Sequence, residues 1–195
     1  MRLPIPEAKF IKSAKTASQY PVSNLPEVAF YGRSNTGKSS LINALVNRKG
    51  LVKTGSKPGM TQLINFFSYG ELNLVDLPGY GYAAAPGAVR SQFPVMMREY
   101  FERRTNLKLV CLLLDIRRDP SDLDIDVANV LSELSIPTAL VLTKSDKESG
   151  NGRTNRRKAI AAALGLESAD LFLTSAEKGT GLPELWTMIR AQVKA

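Results

Sequence analysis

The chain has 195 residues, of which 44% are hydrophobic and 23% are charged. Those values are typical of a soluble globular protein, and the length fits one compact domain. The sequence contains no histidine and one cysteine, which excludes serine–histidine catalytic triads, His-ligated zinc and cysteine metal clusters. Cys111 lies in an apolar run and is predicted to be a buried, reduced thiol.

The positive charge is concentrated near the N-terminus. Residues 1–58 contain ten lysines and arginines but two acidic residues, whereas the other residues contain sixteen of each kind. A basic front half indicates a polyanionic ligand, either nucleotide phosphate or nucleic acid. The alternative is a basic surface that is simply solvated. Without a long apolar run or a hydrophobic leader, the chain is expected to be cytoplasmic with no membrane insertion.

The predicted elements begin after an N-terminal arm. Residues 1–25 contain three prolines and no clear periodicity, so we predict an irregular arm, with at most one short element, packed on or flanking the domain formed by residues 26–195. Residues 27–31 form a short apolar run closed by Gly32, which predicts a strand. Apolar residues at helical spacing then predict a helix over 38–47.

The middle of the chain contains a hairpin between two loops. Residues 63–69 and 72–76 are apolar runs joined by Gly-Glu, which predicts two antiparallel strands. The segments 49–62 and 78–87 are rich in glycine and predict loops. Residues 91–104 show the apolar spacing of a helix.

Three further strand–helix pairs complete the chain. The predicted strands are 107–115, 137–142 and 170–174, and the predicted helices are 121–134, 153–164 and 181–193. Continuous apolar strands alternating with amphipathic helices are typical of an α/β fold with helices on both faces of the sheet. We therefore predict three layers around a mostly parallel six-stranded sheet with one antiparallel strand.

The strongest motif is the run Gly32–Ser39, GRSNTGKS, between the first predicted strand and its helix. It matches the phosphate-binding loop, in which glycines let backbone N–H groups surround phosphates at a helix N-terminus. Lys38 is expected to reach the terminal phosphates and the Ser39 hydroxyl to bind Mg²⁺.

Two more motifs end predicted strands. Asp76-Leu77-Pro78-Gly79 places a carboxylate over the crevice of the sheet, where it can hold Mg²⁺ through water while the Gly79 N–H senses a terminal phosphate. Thr143-Lys144-Ser145-Asp146 resembles the guanine-selecting motif of GTPases. A carboxylate there can accept from two N–H groups of guanine, a pattern that adenine lacks.

Two assignments complete the predicted nucleotide site. The run Leu173-Thr174-Ser175-Ala176 resembles the loop that contacts guanine partly through backbone N–H groups. A switch threonine that swings onto Mg²⁺ is expected before Asp76. Thr54 and Thr61 are the candidates, and Thr61 is preferred because it directly precedes a strand.

In this order and spacing the motifs resemble a Ras-like P-loop GTPase of the translation-factor-related class. The runs YGRSNTGKSSLIN at 31–43, PGMTQLINFF at 58–67 and DLPGYGY at 76–82 resemble more closely the bacterial EngB family, also called YihA or YsxC. The resemblance extends from about Phe10 to the C-terminus. Thr36 replaces a common valine, and Met60 a common basic or polar residue.

The resemblance implies a GTP-binding protein linked to assembly of the large ribosomal subunit, and needed for normal cell division and septation. We expect a monomer. Tyr80 stands where a Ras-type enzyme has the glutamine that orients the attacking water, so slow GTP hydrolysis is expected. The resemblance also makes Asn35 a candidate ligand for K⁺ near the phosphates. Its alternative role is to shape the turn.

The expected site is therefore as follows. Catalytic roles are assigned to Lys38, Thr61, Gly79 and Asn35, and Mg²⁺ contacts to Ser39, Thr61 and Asp76. GTP contacts are expected from Gly32, Arg33, Ser34, Asn35, Thr36, Gly37, Lys38, Ser39, Gly59, Met60, Thr61, Gln62, Leu63, Asp76, Leu77, Pro78, Gly79, Thr143, Lys144, Ser145, Asp146, Leu173, Thr174, Ser175 and Ala176.

Two alternatives from other functional classes stay open on the sequence alone. One is an ATP-dependent kinase or phosphotransferase on the same fold. The other is a division-site scaffold that binds proteins and hydrolyses GTP incidentally.

Overall fold

The computed structural model describes residues 6–53, 63–81 and 95–194. Seven strands form one sheet in the order β1-β3-β4-β2-β5-β6-β7. Strand β3 is antiparallel to both of its neighbours, and the other six strands share one direction. The strands are β1 Lys9–Ala14, β2 Glu27–Gly32, β3 Ile64–Tyr69, β4 Leu72–Asp76, β5 Leu107–Asp115, β6 Thr138–Thr143 and β7 Leu171–Leu173.

Helices cover both faces of this sheet, as predicted for an α/β fold. They are α1 Lys38–Leu45, α2 Val95–Arg103, α3 Asp122–Glu133, α4 Gly150–Ala163 and α5 Leu182–Lys194. Side chains alternate across β5, so that Leu112 packs with α2, α3 and α4 while Cys111 packs with α1 and α5. The cysteine is fully buried, as the sequence predicts. Among the described residues no helix has the length and apolar character needed to cross a membrane.

The sheet has one strand more than predicted. The segment 1–25 is not irregular throughout, because β1 pairs with β3 from Lys9↔Ser68 to Ala14↔Ile64. Four of its six side chains are exposed, so the strand is stabilised mainly by backbone hydrogen bonds and lacks the buried alternation that reveals a strand in sequence. Arg104 also binds the Pro21 carbonyl at 3.0 Å, which ties the rest of this segment to the end of α2. The predicted arm thus contains one short strand, which adds to the sheet.

Several element boundaries differ from the predicted ones by a few residues. Helix α4 begins at Gly150 rather than 153, because Ser149 caps it by accepting from the Gly152 N–H at 3.1 Å. Helix α3 begins after Ser121, as expected. Positions 91–94 of the predicted 91–104 helix lie outside the described residues. Within the described residues this helix runs from Val95 to Arg103.

Candidate functional site

The carboxyl ends of β2, β4, β5 and β6 meet at one edge of the sheet, and the predicted motifs follow these ends. The phosphate-binding motif forms a tight loop between β2 and α1. A Cβ atom on Gly32 would lie 2.7 Å from the Leu113 carbonyl oxygen, so a larger residue does not fit there. Gly37 has a φ of 98° and begins α1 in the left-handed region, which glycine adopts without strain. The structure thus explains why glycine is needed at both positions of the motif.

Lys38 and Asp76 meet beneath this loop. The Lys38 Nζ lies 3.4 Å from Asp76 Oδ1, and both side chains are buried. Within the described residues neither carboxylate oxygen of Asp76 receives a hydrogen bond. Burial raises the pKa of Asp76, while Lys38 opposes that rise. A buried carboxylate with free lone pairs can accept a water or a cation.

Oxygen ligands for a magnesium ion are present beside the phosphate-binding loop. Ser39, in the first turn of α1, is half-buried and directly follows Lys38. Mg²⁺ is commonly bound by one or two protein oxygens together with substrate phosphates and water. The Ser39 hydroxyl and the Asp76 carboxylate, which is paired with Lys38 but accepts no hydrogen bond from the described residues, fit that pattern. The third expected ligand, Thr61, and its alternative Thr54 lie outside the described residues, as do Gly59, Met60 and Gln62.

Lys144 connects the second motif to the phosphate-binding loop. Its Nζ donates to the Asn35 carbonyl at 2.7 Å and to Asp115 Oδ2 at 2.9 Å. Burial raises the pKa of Asp115, but the hydrogen bonds from Arg117 and Lys144 outweigh that effect and hold the pKa well below its usual value. Asp115 is therefore an ionised anchor for Lys144. The sequence analysis missed it, although it ends a buried strand just as Asp76 does.

Thr143 makes a second connection between the two motifs. Its hydroxyl lies 2.5 Å from the Thr36 carbonyl oxygen and 3.1 Å from that of Leu114. Thr36 also turns its own hydroxyl back to the Arg33 carbonyl at 2.9 Å, which closes the loop on itself. The phosphate-binding loop is thus held from inside and from β6.

Asp146 and Ser175 are brought together as the sequence predicts. The Ser175 hydroxyl donates to Asp146 Oδ1 at 2.5 Å, and Lys147 Nζ lies 3.1 Å from Oδ2. These contacts, Ser175 first, lower the pKa of Asp146. The loop from Leu173 therefore orients the carboxylate through a side chain, a role that the sequence analysis did not assign. Thr174 is buried and accepts at its carbonyl from Ser145 N.

A cavity of about 210 Å³ lies between the start of α1 and the two loops that carry Asp146 and Ala176. Its lining includes Gly37, Leu41, Lys144, Asp146 and Ala176. The aliphatic part of Lys144 offers surface to a flat ring, and the Asp146 carboxylate offers an acceptor. The cavity thus has the size and polarity of a site for a heteroaromatic base, next to a loop built for phosphates.

The remaining predicted residues are placed as follows. Gly79 lies against the phosphate-binding loop, because a Cβ atom there would be 3.1 Å from Ser34 N. Leu77 is buried in the core, and Pro78 and Leu173 are half-buried. Asn35 is exposed and has a φ of 67°. Leu63 is exposed beside the start of β3. Arg33 forms a parallel bridge with Tyr80.

Comparison with known proteins agrees with this geometry. A sequence family described as "50S ribosome-binding GTPase" matches residues 27–144. The probable GTP-binding protein EngB of Geotalea daltonii is 51% identical over 188 residues, which are 96% of this chain and 91% of that protein. Its counterpart in Syntrophotalea carbinolica is 54% identical over 163 residues, which are 83% of this chain and 79% of that protein.

Solved structures show the same fold. The crystal structure of a probable GTP-binding protein engB has a TM-score of 0.66 at 23% identity, covering 86% of this chain and 98% of that one. Aquifex aeolicus Era bound to GDP and aluminium fluoride has a TM-score of 0.63 at 23% identity, covering 85% of this chain and 56% of that one. The family match, the near full-length relatives and the strand-end motifs together show that this chain is a GTPase and belongs to the EngB family of GTP-binding proteins.

Proposed function

We propose that this GTPase acts as a nucleotide-gated switch in assembly of the large ribosomal subunit. The observation that carries the proposal is the match over residues 27–144 to a family described as ribosome-binding GTPases. Its partners are then GTP or GDP and a precursor of the large subunit, through ribosomal RNA, ribosomal protein or both. We further propose that the protein acts in the cytoplasm as a monomer and that normal cell division and septation need it.

Within this proposal the site residues take the following roles. The phosphates bind the loop Gly32–Ser39, and Lys38 neutralises charge at the terminal phosphates. Ser39 and Asp76 would hold Mg²⁺, Asp76 through water, and Thr61 would complete the set in the GTP state. When bound, Mg²⁺ neutralises charge that develops on the phosphates during transfer. Asp146 accepts from the guanine ring in the 210 Å³ cavity, and Ser175 keeps its carboxylate oriented.

Slow hydrolysis is part of the proposal. Tyr80, at the position of the water-orienting glutamine, turns its side chain into the core and donates to Asp124 Oδ1 at 2.7 Å. Burial raises its pKa far above the usual value, so the hydroxyl stays neutral and cannot serve as a base. No water-orienting group is supplied by this residue.

A potassium ion at Asn35 is the proposed compensation for the missing glutamine. The residue is exposed within the phosphate-binding loop, where its side chain can turn toward a bound ion. We expect hydrolysis in 100 mM KCl to exceed that in 100 mM NaCl, and Asn35→Ala to abolish the difference. Steady-state phosphate release in each salt measures this. Equal rates in both salts would instead assign Asn35 to shaping the turn.

The basic surface for RNA is proposed around β1 and the end of α1. Arg48 binds the Ala8 carbonyl and lies 3.4 Å from Glu7 Oε1, which brings the residues after α1 next to the start of β1. Asn43 exchanges two 2.9 Å hydrogen bonds with the backbone of Val52. The first part of the loop predicted over 49–62 is therefore held to α1. The exposed cations of this surface are Lys9, Lys12, Lys15, Arg48, Lys49 and Lys53.

Co-sedimentation with large ribosomal subunits tests the partner. We expect binding with the β,γ-imido analogue of GTP to exceed binding with GDP, and Lys49→Ala/Lys53→Ala to weaken it. Losing two phosphate contacts should also reduce the salt slope of log Kd by about 2. The matched control is Lys108→Ala/Lys158→Ala, which removes two exposed lysines from other surfaces.

Two outcomes would count against this proposal. Equal subunit binding in both nucleotide states would contradict the nucleotide-gated switch. An equal loss of binding in Lys49→Ala/Lys53→Ala and in its control would contradict the proposed RNA surface. No binding to subunits at low salt, with binding to division proteins instead, would favour the scaffold alternative. The kinase alternative is not supported, because the family and the relatives are GTP-binding proteins.

A further inference from the structure

One buried side chain fixes the backbone segment that follows Asp76. Tyr80 stands between Gly79 and Gly81 and is 9% exposed. Its ring packs edge-on against Tyr31, with centroids 4.9 Å apart, and its hydroxyl donates to Asp124 Oδ1 at 2.7 Å. The two flanking glycines bring no side chain to hold the backbone. Among the described residues of this Gly-Tyr-Gly segment, the side-chain anchor is therefore Tyr80.

The acceptor of this hydrogen bond is itself firmly held. Asp124 is 3% exposed, and its second oxygen accepts from the Ser121 N–H at 2.8 Å and the Ser121 hydroxyl at 2.7 Å. One carboxylate thus receives three donors at the start of α3. Removing the Tyr80 donor would leave a buried carboxylate oxygen short of a partner, which is costly.

The backbone of the same residue contacts the phosphate-binding loop. The Tyr80 carbonyl accepts from Ser34 N–H at 3.1 Å. Gly79 lies so close to Ser34 that a Cβ atom there would be 3.1 Å from both Ser34 N and Oγ. The position of Tyr80 therefore sets where the Gly79 N–H lies relative to the loop that holds the phosphates.

We propose that Tyr80 is a positioning residue for the terminal phosphate of GTP and that Asp124 is its anchor. The pair holds the Gly79–Gly81 segment against the phosphate-binding loop and thereby sets the preference for GTP over GDP. Tyr80 acts through the backbone and does not touch the nucleotide. By linkage, a bound terminal phosphate stabilises the Tyr80–Asp124 hydrogen bond by the same factor.

Two single variants test each side of the bond. Tyr80→Phe removes the hydroxyl and keeps the ring, and Asp124→Ala removes the acceptor. Each is expected to lower the ratio of affinities for the β,γ-imido analogue and GDP about tenfold, which corresponds to about 1.4 kcal/mol and lies at the lower end for a hydrogen bond to a charged group. GDP affinity should not change. Titration calorimetry with each nucleotide gives the ratio.

The conservative and double variants sharpen this test. In Asp124→Asn the amide oxygen can accept from Ser121 while the NH₂ group donates to the Tyr80 hydroxyl, so the ratio should recover most of its wild-type value. Tyr80→Phe/Asp124→Ala should be no worse than either single variant, because both remove the same bond. If the losses in the affinity ratio of the two single variants add up in the double variant, Tyr80 and Asp124 do not act through one shared hydrogen bond.

Ser121→Ala is the matched control. It removes one hydrogen bond at the same carboxylate but keeps the bond to Tyr80. We expect a lower melting temperature with an unchanged affinity ratio. If Tyr80→Phe behaves in the same way, or weakens both nucleotides equally, the hydrogen bond serves stability alone and the proposal is wrong.

Discussion

Replacing Lys38 with alanine is expected to weaken binding of both GTP and GDP by roughly 100-fold or more, since losing one partner of a buried charge pair costs about 3 kcal/mol. The Lys38 ammonium group lies 3.4 Å from the buried Asp76 carboxylate, its charged contact among the described residues. The measurement is direct titration of each nucleotide in Mg²⁺. Wild-type affinity in Lys38→Ala would place the phosphate site elsewhere.

This variant also disturbs the fold, so the result needs a control. Without Lys38, the fully buried Asp76 carboxylate loses the charged partner that the described residues give it, and the folded protein should lose stability. Lys38→Ala/Asp76→Asn removes the unpaired charge as well. It should regain melting temperature. Because Asp76 itself belongs to the expected Mg²⁺ site, its nucleotide affinity is compared with that of Asp76→Asn alone, and a further loss in the double variant is the part due to Lys38.

Replacing Asp146 with asparagine is expected to shift the base preference from GTP toward XTP by roughly 10³-fold. Guanine offers two N–H donors to the carboxylate, whereas xanthine has a carbonyl where guanine has its exocyclic amine. The asparagine amide can donate to that carbonyl. Competition between the two triphosphates for the same protein measures the ratio.

The control for this variant is Asp170→Asn, which removes an exposed carboxylate from another part of the chain. It should keep the wild-type ratio. As the pH falls to about 4, where an unperturbed aspartate is roughly half protonated, the wild-type preference should weaken less than such a residue would allow, because the hydrogen bond from Ser175 lowers the pKa of Asp146 and keeps more of it ionised. A wild-type GTP to XTP ratio in Asp146→Asn would mean that the base binds elsewhere.

The sequence predicts those parts of the fold and site that depend on local pattern. Apolar runs give six of the seven strands, and each motif ends a strand where parallel strands share one edge. The phosphate-binding loop could be placed because its glycines, lysine and serine must occur at a fixed spacing in the sequence. Asp146 could be placed because it follows a buried strand, β6.

Contacts between distant segments could not be predicted in the same way. Lys144 reaches Asn35 and Asp115 across three strands, which no local spacing reveals. The hydrogen bond from Tyr80 joins residues 44 positions apart. The sequence shows that a glutamine is missing at Tyr80, but the destination of the tyrosine side chain depends on how α3 packs. Strand β1 lacked a signal because its side chains face solvent.

The extra strand has a consequence for self-association. In the described part of the chain the two open edges of the sheet are β1 and β7. Strand β1 carries Lys9 and Lys12 and has an irregular register between Phe10 and Lys12, while β7 has three residues. Charged, irregular or very short edges are poor templates for another strand. A chain shortened to begin at Glu27 would instead expose β3, whose regular backbone and aromatic residues invite edge-to-edge pairing and aggregation.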